Sequence, residues 1–219
     1  MALIPPNPAV DLVEDDETVC TREHCFRCFD ALFCALTGHR ALEPKFPDEK
    51  YQLFVTWNTR SSRPGRPPRL RGCIGTFEAI PIREGLAEYA LISAFQDHRF
   101  RKIEERELET LECGVSLLTD FEDGSSYLDW TIGVHGVRIS FPHPALKHTF
   151  SATYLPQIAP EQGWDKIETI DSAIHKAGWT GRITEDIRRS VKLRRYQSRK
   201  YTVSWEEYVQ WRTENGGAM

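Results

Sequence analysis

Long apolar runs are missing from this chain. The longest, Ala31 to Leu36, has six residues, against the ~20 that a membrane-crossing helix needs, so no segment reads as a span. An excess of positive charge is missing too. The 28 Lys+Arg stand against 32 Asp+Glu, a formal net charge of -4, which excludes a protein that coats nucleic acid by bulk charge alone. A second Cys-x-x-Cys is absent. Cys25-Phe-Arg-Cys28 has Cys20 and His24 nearby, but zinc takes four ligands, usually as two such pairs, so no metal site is expected. On a helix Cys25, Cys28 and Leu32 share a face, as core residues do. The six cysteines, at 20, 25, 28, 34, 73 and 113, lack the spacing of a disulfide framework. No repeat recurs at a fixed period. The first eight residues lack the basic start and apolar stretch of a secretory signal. The chain is therefore expected in the cytoplasm or nucleus, with its thiols reduced and no membrane contact.

What is present fits an ordinary soluble fold. The 219 residues are 40% hydrophobic and 27% charged, enough to bury roughly 70% of the unfolded surface in one body. Residues 1–16 read as a flexible lead, 17–212 as one domain and 213–219 as a tail. A helical stripe runs from Glu17 to Leu36 and stops at Gly38. Strands fit Tyr51–Trp57, Leu70–Phe77 and Leu111–Thr119, with an amphipathic helix from Ile82 to Ser93. Residues 132–141 read as a tight strand pair turning at His135-Gly136. Another strand fits Phe150–Leu155. Asp165 with Glu168, and Ser204 with Glu207, form capping boxes that open two helices. A strand is expected near Ser190–Tyr196. Without regular βαβ alternation, the reading is α+β: mainly antiparallel sheet with flanking helices.

The chemically unusual segment is Arg69-Leu-Arg-Gly-Cys-Ile-Gly75. Glycines on both sides of Cys73 let the backbone turn and a ligand approach closely. Strand alternation puts Arg69, Arg71 and Cys73 on one face, where guanidinium groups favour the thiolate. Cys73 is thus the candidate nucleophile. His135 or His98 would be its base, and Arg71 or Arg99 the stabiliser of an oxyanion. Gly72, Gly75, Asp97, Arg99 and Glu161 complete the candidate ligand-contacting set. The bland alternative is a packed strand cysteine. Neither histidine sits at a fixed catalytic spacing, and no cofactor is expected.

Two basic segments remain. Arg60, Arg63, Arg66 and Arg69 recur every third residue among Pro64, Pro67 and Pro68. A polyproline II turn would align them, offering a proline-motif contact through Arg63, Pro64, Pro67 and Arg69; a solvated loop is the plainer account. Residues 181–200 hold eight Lys/Arg against two acids. They suit RNA, anionic lipid or an acidic partner, yet lack regularly spaced stacking aromatics. The simpler account is a basic edge strand that its own charges keep from aggregating.

Several stretches together resemble the AMMECR domain family, named for a human X-linked region linked to Alport syndrome, midface hypoplasia and elliptocytosis. They are Leu-Phe-Val-Thr-Trp (53–57), Leu-Arg-Gly-Cys-Ile-Gly-Thr-Phe (70–77) and Tyr-Ala-Leu-Ile-Ser-Ala-Phe-Gln-Asp-His-Arg-Phe (89–100). Val-Ser-Leu-Leu-Thr-Asp-Phe-Glu (115–122), Tyr-Leu-Asp-Trp (127–130), Gly-Val-His-Gly-Val-Arg-Ile (133–139) and Ala-Thr-Tyr-Leu-Pro (152–156) follow. Glu-Gln-Gly-Trp-Asp (161–165) and Lys-Leu-Arg-Arg-Tyr (192–196) complete the set. The likeness covers about residues 18–212 and favours the eukaryotic branch through Cys-Phe-Arg-Cys-Phe-Asp (25–30). It implies two tightly joined subdomains, the family signature at Leu70–Gly75, and an association with the nucleus. It implies no particular reaction, although prokaryotic members often neighbour Memo-like and radical SAM proteins. The arginine-proline loop is longer than in human-like members. His98 stands where relatives often carry proline or a small residue, so His135 is the better base. The leading expectation is a regulatory or adaptor protein that binds a ligand or partner around Cys73. The alternatives are a cysteine-dependent transferase or hydrolase, and an RNA-associated regulator using Arg194 and Arg195.

Overall fold

In the computed structural model, which describes residues 19–61, 65–143 and 147–219, one six-stranded antiparallel sheet carries two hydrophobic cores. The strands are β1 (Lys50–Thr59), β2 (Arg69–Pro81), β3 (Leu111–Asp123), β4 (Gly136–Pro142), β5 (Thr149–Tyr154) and β6 (Lys192–Ser204), in the order β2-β1-β3-β6-β4-β5. The helices are α1 (Arg22–Thr37), α2 (Ile82–Phe95), α3 (Ile158–Gln162), α4 (Lys166–Lys176), α5 (Glu185–Ser190) and α6 (Trp205–Glu214), with a 3-10 turn at Glu105–Thr110. The fold is α+β, as the sequence implied.

Local signals set many boundaries. Gly38 ends α1 at φ 78°, a left-handed conformation that glycine takes without steric cost. Asp165 and Ser204 each accept from the N–H three residues on, while Glu168 and Glu207 reach back to the cap, so both capping boxes form. Cys25, Cys28 and Leu32 are fully buried on α1, and Cys113 is fully buried on β3. Burial pushes the Cys28 and Cys113 thiols above the ordinary range.

The first core gathers Leu53, Val55 and Trp57 of β1 with α1, α2 and α6. The second gathers Val137, Ile139 and Phe141 of β4 with Ile170, Ala173 and Ile174 of α4. Strand β6 contributes Val203 to the first and Leu193 to the second. Both residues are odd-numbered on one continuous strand, so both cores lie on the same side of the sheet. The even-numbered residues of β6 form the opposite face.

Two expectations need correction. Residues 132–134 are not a strand: 131–135 form a turn, closed by the His135 N–H donating to the Thr131 carbonyl at 2.9 Å. The alternation from Val137 to Phe141 belongs to β4 alone, whose partners are β5 and β6. The basic stretch is not an edge strand. β6 lies between β3 and β4 and runs on to Ser204, because acidic side chains neutralise its inward arginines: Arg195 pairs with Glu122 and Asp129, and Arg199 with Asp120.

Candidate functional site

β2 is an edge strand, so its outward backbone groups need partners other than a neighbouring strand. At Cys73 they have them. The Cys73 N–H donates to Asp97 Oδ2 at 2.9 Å, and Arg99 Nη2 donates to the Cys73 carbonyl at 3.1 Å. The same guanidinium grips Asp97 through Nε at 2.9 Å and Nη2 at 2.7 Å. This bidentate grip, helped by the Cys73 N–H and opposed by burial, holds the Asp97 carboxyl far below the usual carboxylate range. Two residues just beyond α2 thus clamp the peptide units on both sides of the Cys73 α-carbon.

The signature glycines answer to close packing. A methyl group at Gly72 would stand 2.2 Å from the Ser93 carbonyl oxygen of α2, and one at Gly75 would stand 2.3 Å from the Leu53 carbonyl oxygen. Ser93 adds a link of its own, accepting from the Ile74 N–H at 2.9 Å and donating to the Val55 carbonyl at 2.7 Å.

Arg71 does not lie beside the thiol as a charge partner. It donates two hydrogen bonds to the Glu107 carboxylate, at 2.8 and 3.0 Å, and two more to the carbonyls of Arg101 and Lys102. Burial pushes Glu107 up, but the hydrogen bonds from Arg71 and the Glu104 N–H, together with the Arg71 and Arg106 charges, outweigh it and hold the carboxylate low. Arg71 therefore fixes the loop that follows Asp97 and Arg99.

The half-buried Cys73 thiol accepts a hydrogen bond from the Thr56 hydroxyl at 3.2 Å. Neither histidine bonds to it. His98 is exposed. His135 sits at the start of β4, where its Nδ1 accepts from the Thr131 N–H at 2.9 Å. Burial and then the Arg195 charge hold it below the ordinary histidine range. Glu161 is exposed on α3, next to the second core. The structure therefore brings together Cys73, Asp97 and Arg99, with Gly72 and Gly75 beneath them. It places Arg71 in the supporting loop and leaves His98, His135 and Glu161 apart.

Register supplies residues that the sequence did not single out. Thr56 lies opposite Cys73 on one side and Gly114 on the other, and Gly114 lies opposite Thr202. A methyl at Gly114 would touch Lys200 Cε at 3.3 Å and Thr202 Oγ1 at 3.5 Å, so the Lys200 stem crosses the gap a side chain would fill. The open face beside Cys73 thus presents two threonine hydroxyls and an exposed ammonium. The only sequence signal for them was alternation within separate strands, which leaves the pairing unstated. Among the described residues no three His, Cys, Asp or Glu side chains converge on a possible metal position.

Of the arginine-proline segment, Arg63 and Pro64 lie outside the described residues, as does the 1–16 lead. Pro67 and Arg69 are exposed. Arg60 is drawn away from the expected row, donating to both Glu206 oxygens at 2.6 Å.

A six-stranded antiparallel sheet with helices packed over two cores, and an edge-strand cysteine pinned by an Asp-Arg pair, defines a two-lobed α+β class. A family model, AMMECR1, matches residues 25–201, and the chain belongs to that family. It is 46% identical over 188 residues to an uncharacterised protein of Arabidopsis thaliana, covering 86% of this chain and 87% of that one. It is 40% identical to an uncharacterised protein of Schizosaccharomyces pombe, covering 86% and 95%. The crystal structure of an uncharacterised Pyrococcus horikoshii protein aligns with a TM-score of 0.63 at 27% identity, covering 82% of this chain and 89% of that one.

Proposed function

We propose that this chain is a regulatory or adaptor protein whose open sheet face beside Cys73 binds a ligand or a protein partner. The observation that carries the reading is the clamp. Asp97 and Arg99 spend their charges on the Cys73 backbone, which fixes the strand and leaves the Thr56, Thr202 and Lys200 heads facing outward. Rigid strands with outward hydroxyl and ammonium groups are suited to recognition. A nucleophile with a histidine base would need the imidazole within reach of the thiol, and the Cys73 partner is a threonine.

That same Thr56 hydroxyl favours a second reading. A donor 3.2 Å from Sγ fixes the direction of the sulfur lone pairs. Cys73 Sγ would then attack an electrophilic carbon of a substrate held over Lys200, expelling its leaving group and giving up the thiol proton to solvent. Native mass spectrometry of the full chain after incubation with a cell metabolite extract separates the two. Binding predicts a non-covalent complex, released at unchanged mass and lost in Thr56→Val and Lys200→Ala. A covalent adduct on Cys73, or conversion of extract components that Cys73→Ser abolishes, would replace the binding reading with the enzymatic one.

A further inference from the structure

The basic stretch 181–200 commits four of its eight Lys/Arg, namely Arg188, Arg189, Arg195 and Arg199, to internal pairs. Arg188 binds Asp171 at 2.7 Å, Arg189 binds Glu185 at 3.1 Å, and Arg195 binds both Glu122 and Asp129. Lys192 and Arg194 escape because they occupy even positions of β6, on the open face. Arg194 has a carboxylate no nearer than Asp123, at 3.8 Å, itself solvated, and its guanidinium lies over the Phe121 ring at 5.4 Å, which leaves its N–H groups open to an anion.

Register then adds a second guanidinium. Arg138 of β4 is the direct cross-strand neighbour of Arg194, is exposed, and its side chain has no ion pair or hydrogen bond among the described residues. Like charges placed directly across an antiparallel pair repel, so this arrangement is costly until an anion sits between them. One row along, Ser140 lies opposite Lys192 on one side and Ser151 on the other. These groups line one wall of a cleft of about 1070 Å³, closed on the other side by the 123–128 loop and α5. The lining holds four basic side chains against two acidic ones, in a chain whose total is -4. One of the two acids, Glu185, is already held by Tyr127 and Arg189.

We propose that this cleft binds the phosphate of a phosphorylated small molecule of nucleotide size. Two planar forks, an ammonium and serine hydroxyls match the several acceptor oxygens of a phosphate better than the two of a carboxylate. The volume exceeds what a free phosphate fills and lies at the upper end for small-ligand pockets. A single strand of RNA fits less well. Its charge would need the arginines that are internally paired, and the aromatics of this face are already engaged: Tyr196 is fully buried, and half-buried Phe121 stacks on it and lies under the Arg194 guanidinium.

Isothermal titration of the full chain with ADP, adenosine, inorganic phosphate and a twenty-nucleotide single-stranded RNA tests this. ADP is expected to bind at least about tenfold more tightly than adenosine or inorganic phosphate. Arg138→Gln and Arg194→Gln should each weaken it about tenfold or more, and Arg138→Lys by less. Arg182→Gln, at an exposed arginine outside the cleft, should leave it unchanged. Circular dichroism confirms that each variant is folded. Adenosine binding as well as ADP, or either glutamine variant retaining full affinity, would overturn the phosphate site. Inorganic phosphate matching ADP would overturn the nucleotide-sized ligand. RNA binding more tightly than ADP, with a steep salt dependence that Arg182→Gln also weakens, would replace the cleft with a diffuse basic surface.

Discussion

The two ends of the open sheet face treat arginine in opposite ways. Near Cys73, Arg71 and Arg99 are committed, each to a carboxylate, and to two backbone carbonyls and one respectively. Near β4, Arg138 and Arg194 face each other across strands; the Arg138 side chain has no partner among the described residues, and Arg194 has only the Phe121 ring beneath it and a solvated Asp123 at 3.8 Å. A paired arginine is part of the scaffold, because its hydrogen bonds already fix neighbouring chain. An unpaired one set against its own kind stores repulsion that an incoming anion can relieve. The first end is built to be still and the second to be filled.

The largest effect should come from the core beneath the rigid end. Asp30 and Arg212 form an ion pair buried at 1–2% exposure, and Tyr208 also donates to Asp30. Replacing Asp30 by Ala strands a buried guanidinium and should cost about 3–5 kcal/mol in urea unfolding. Because β6 belongs to both cores, hydrogen exchange at β4 amides should accelerate along with that at β1. Protection retained at β4 alone would divide the molecule into two separately unfolding units.

Acid should weaken the same half next. Burial lowers His24 from 6.5 to about 4. The unfolded chain therefore takes up the proton first as pH falls. This contribution is complete above about pH 6.5 and declines towards pH 4, by about 3 kcal/mol in total. Melting curves from pH 7 to 4.5 should show the decline, and His24→Gln should flatten it; an equal slope in the variant would acquit His24. His135, lowered in the other lobe, acts in the same direction.

Gly72→Ala should cost about 1–3 kcal/mol, since its methyl would collide with the Ser93 carbonyl and β2 or α2 must shift. A thermal melt within error of the parent would mean that the helix approaches less closely. The smallest effect should have the opposite sign. Arg138→Gln removes a cross-strand repulsion and should raise Tm by about 1–2 °C without ligand. A fall in Tm would show that Arg138 stabilises the empty protein, and the contrast between the two ends would fail.

Much of the fold was legible because its signals are local. The Asp165 and Ser204 capping boxes, the Gly38 stop and the buried face of α1 each depend on residues within one or two turns. The turn at 131–135 misled because alternating apolar residues continue into it from β4, and alternation cannot say where pairing begins. The basic stretch misled for a related reason. Arg195 and Arg199 look free in sequence, and only the arrival of Glu122, Asp129 and Asp120 from β3 and the loop after it makes β6 an interior strand. At the candidate site, Cys73, Asp97 and Arg99 could be picked out by type. Thr56, Gly114, Lys200 and Thr202 could not, since their nearness is set by the registers of three strands.

The sequence by itself determined four of the six helices (α1, α2, α4 and α6), an antiparallel α+β class, the cysteines of the first core, and the family, because each rests on short-range pattern or on ordered motifs. The tertiary structure decided which charges remain available. Charge availability depends on partners tens of residues away, and the exclusion of water that makes a pair worth forming exists only once the strands are side by side.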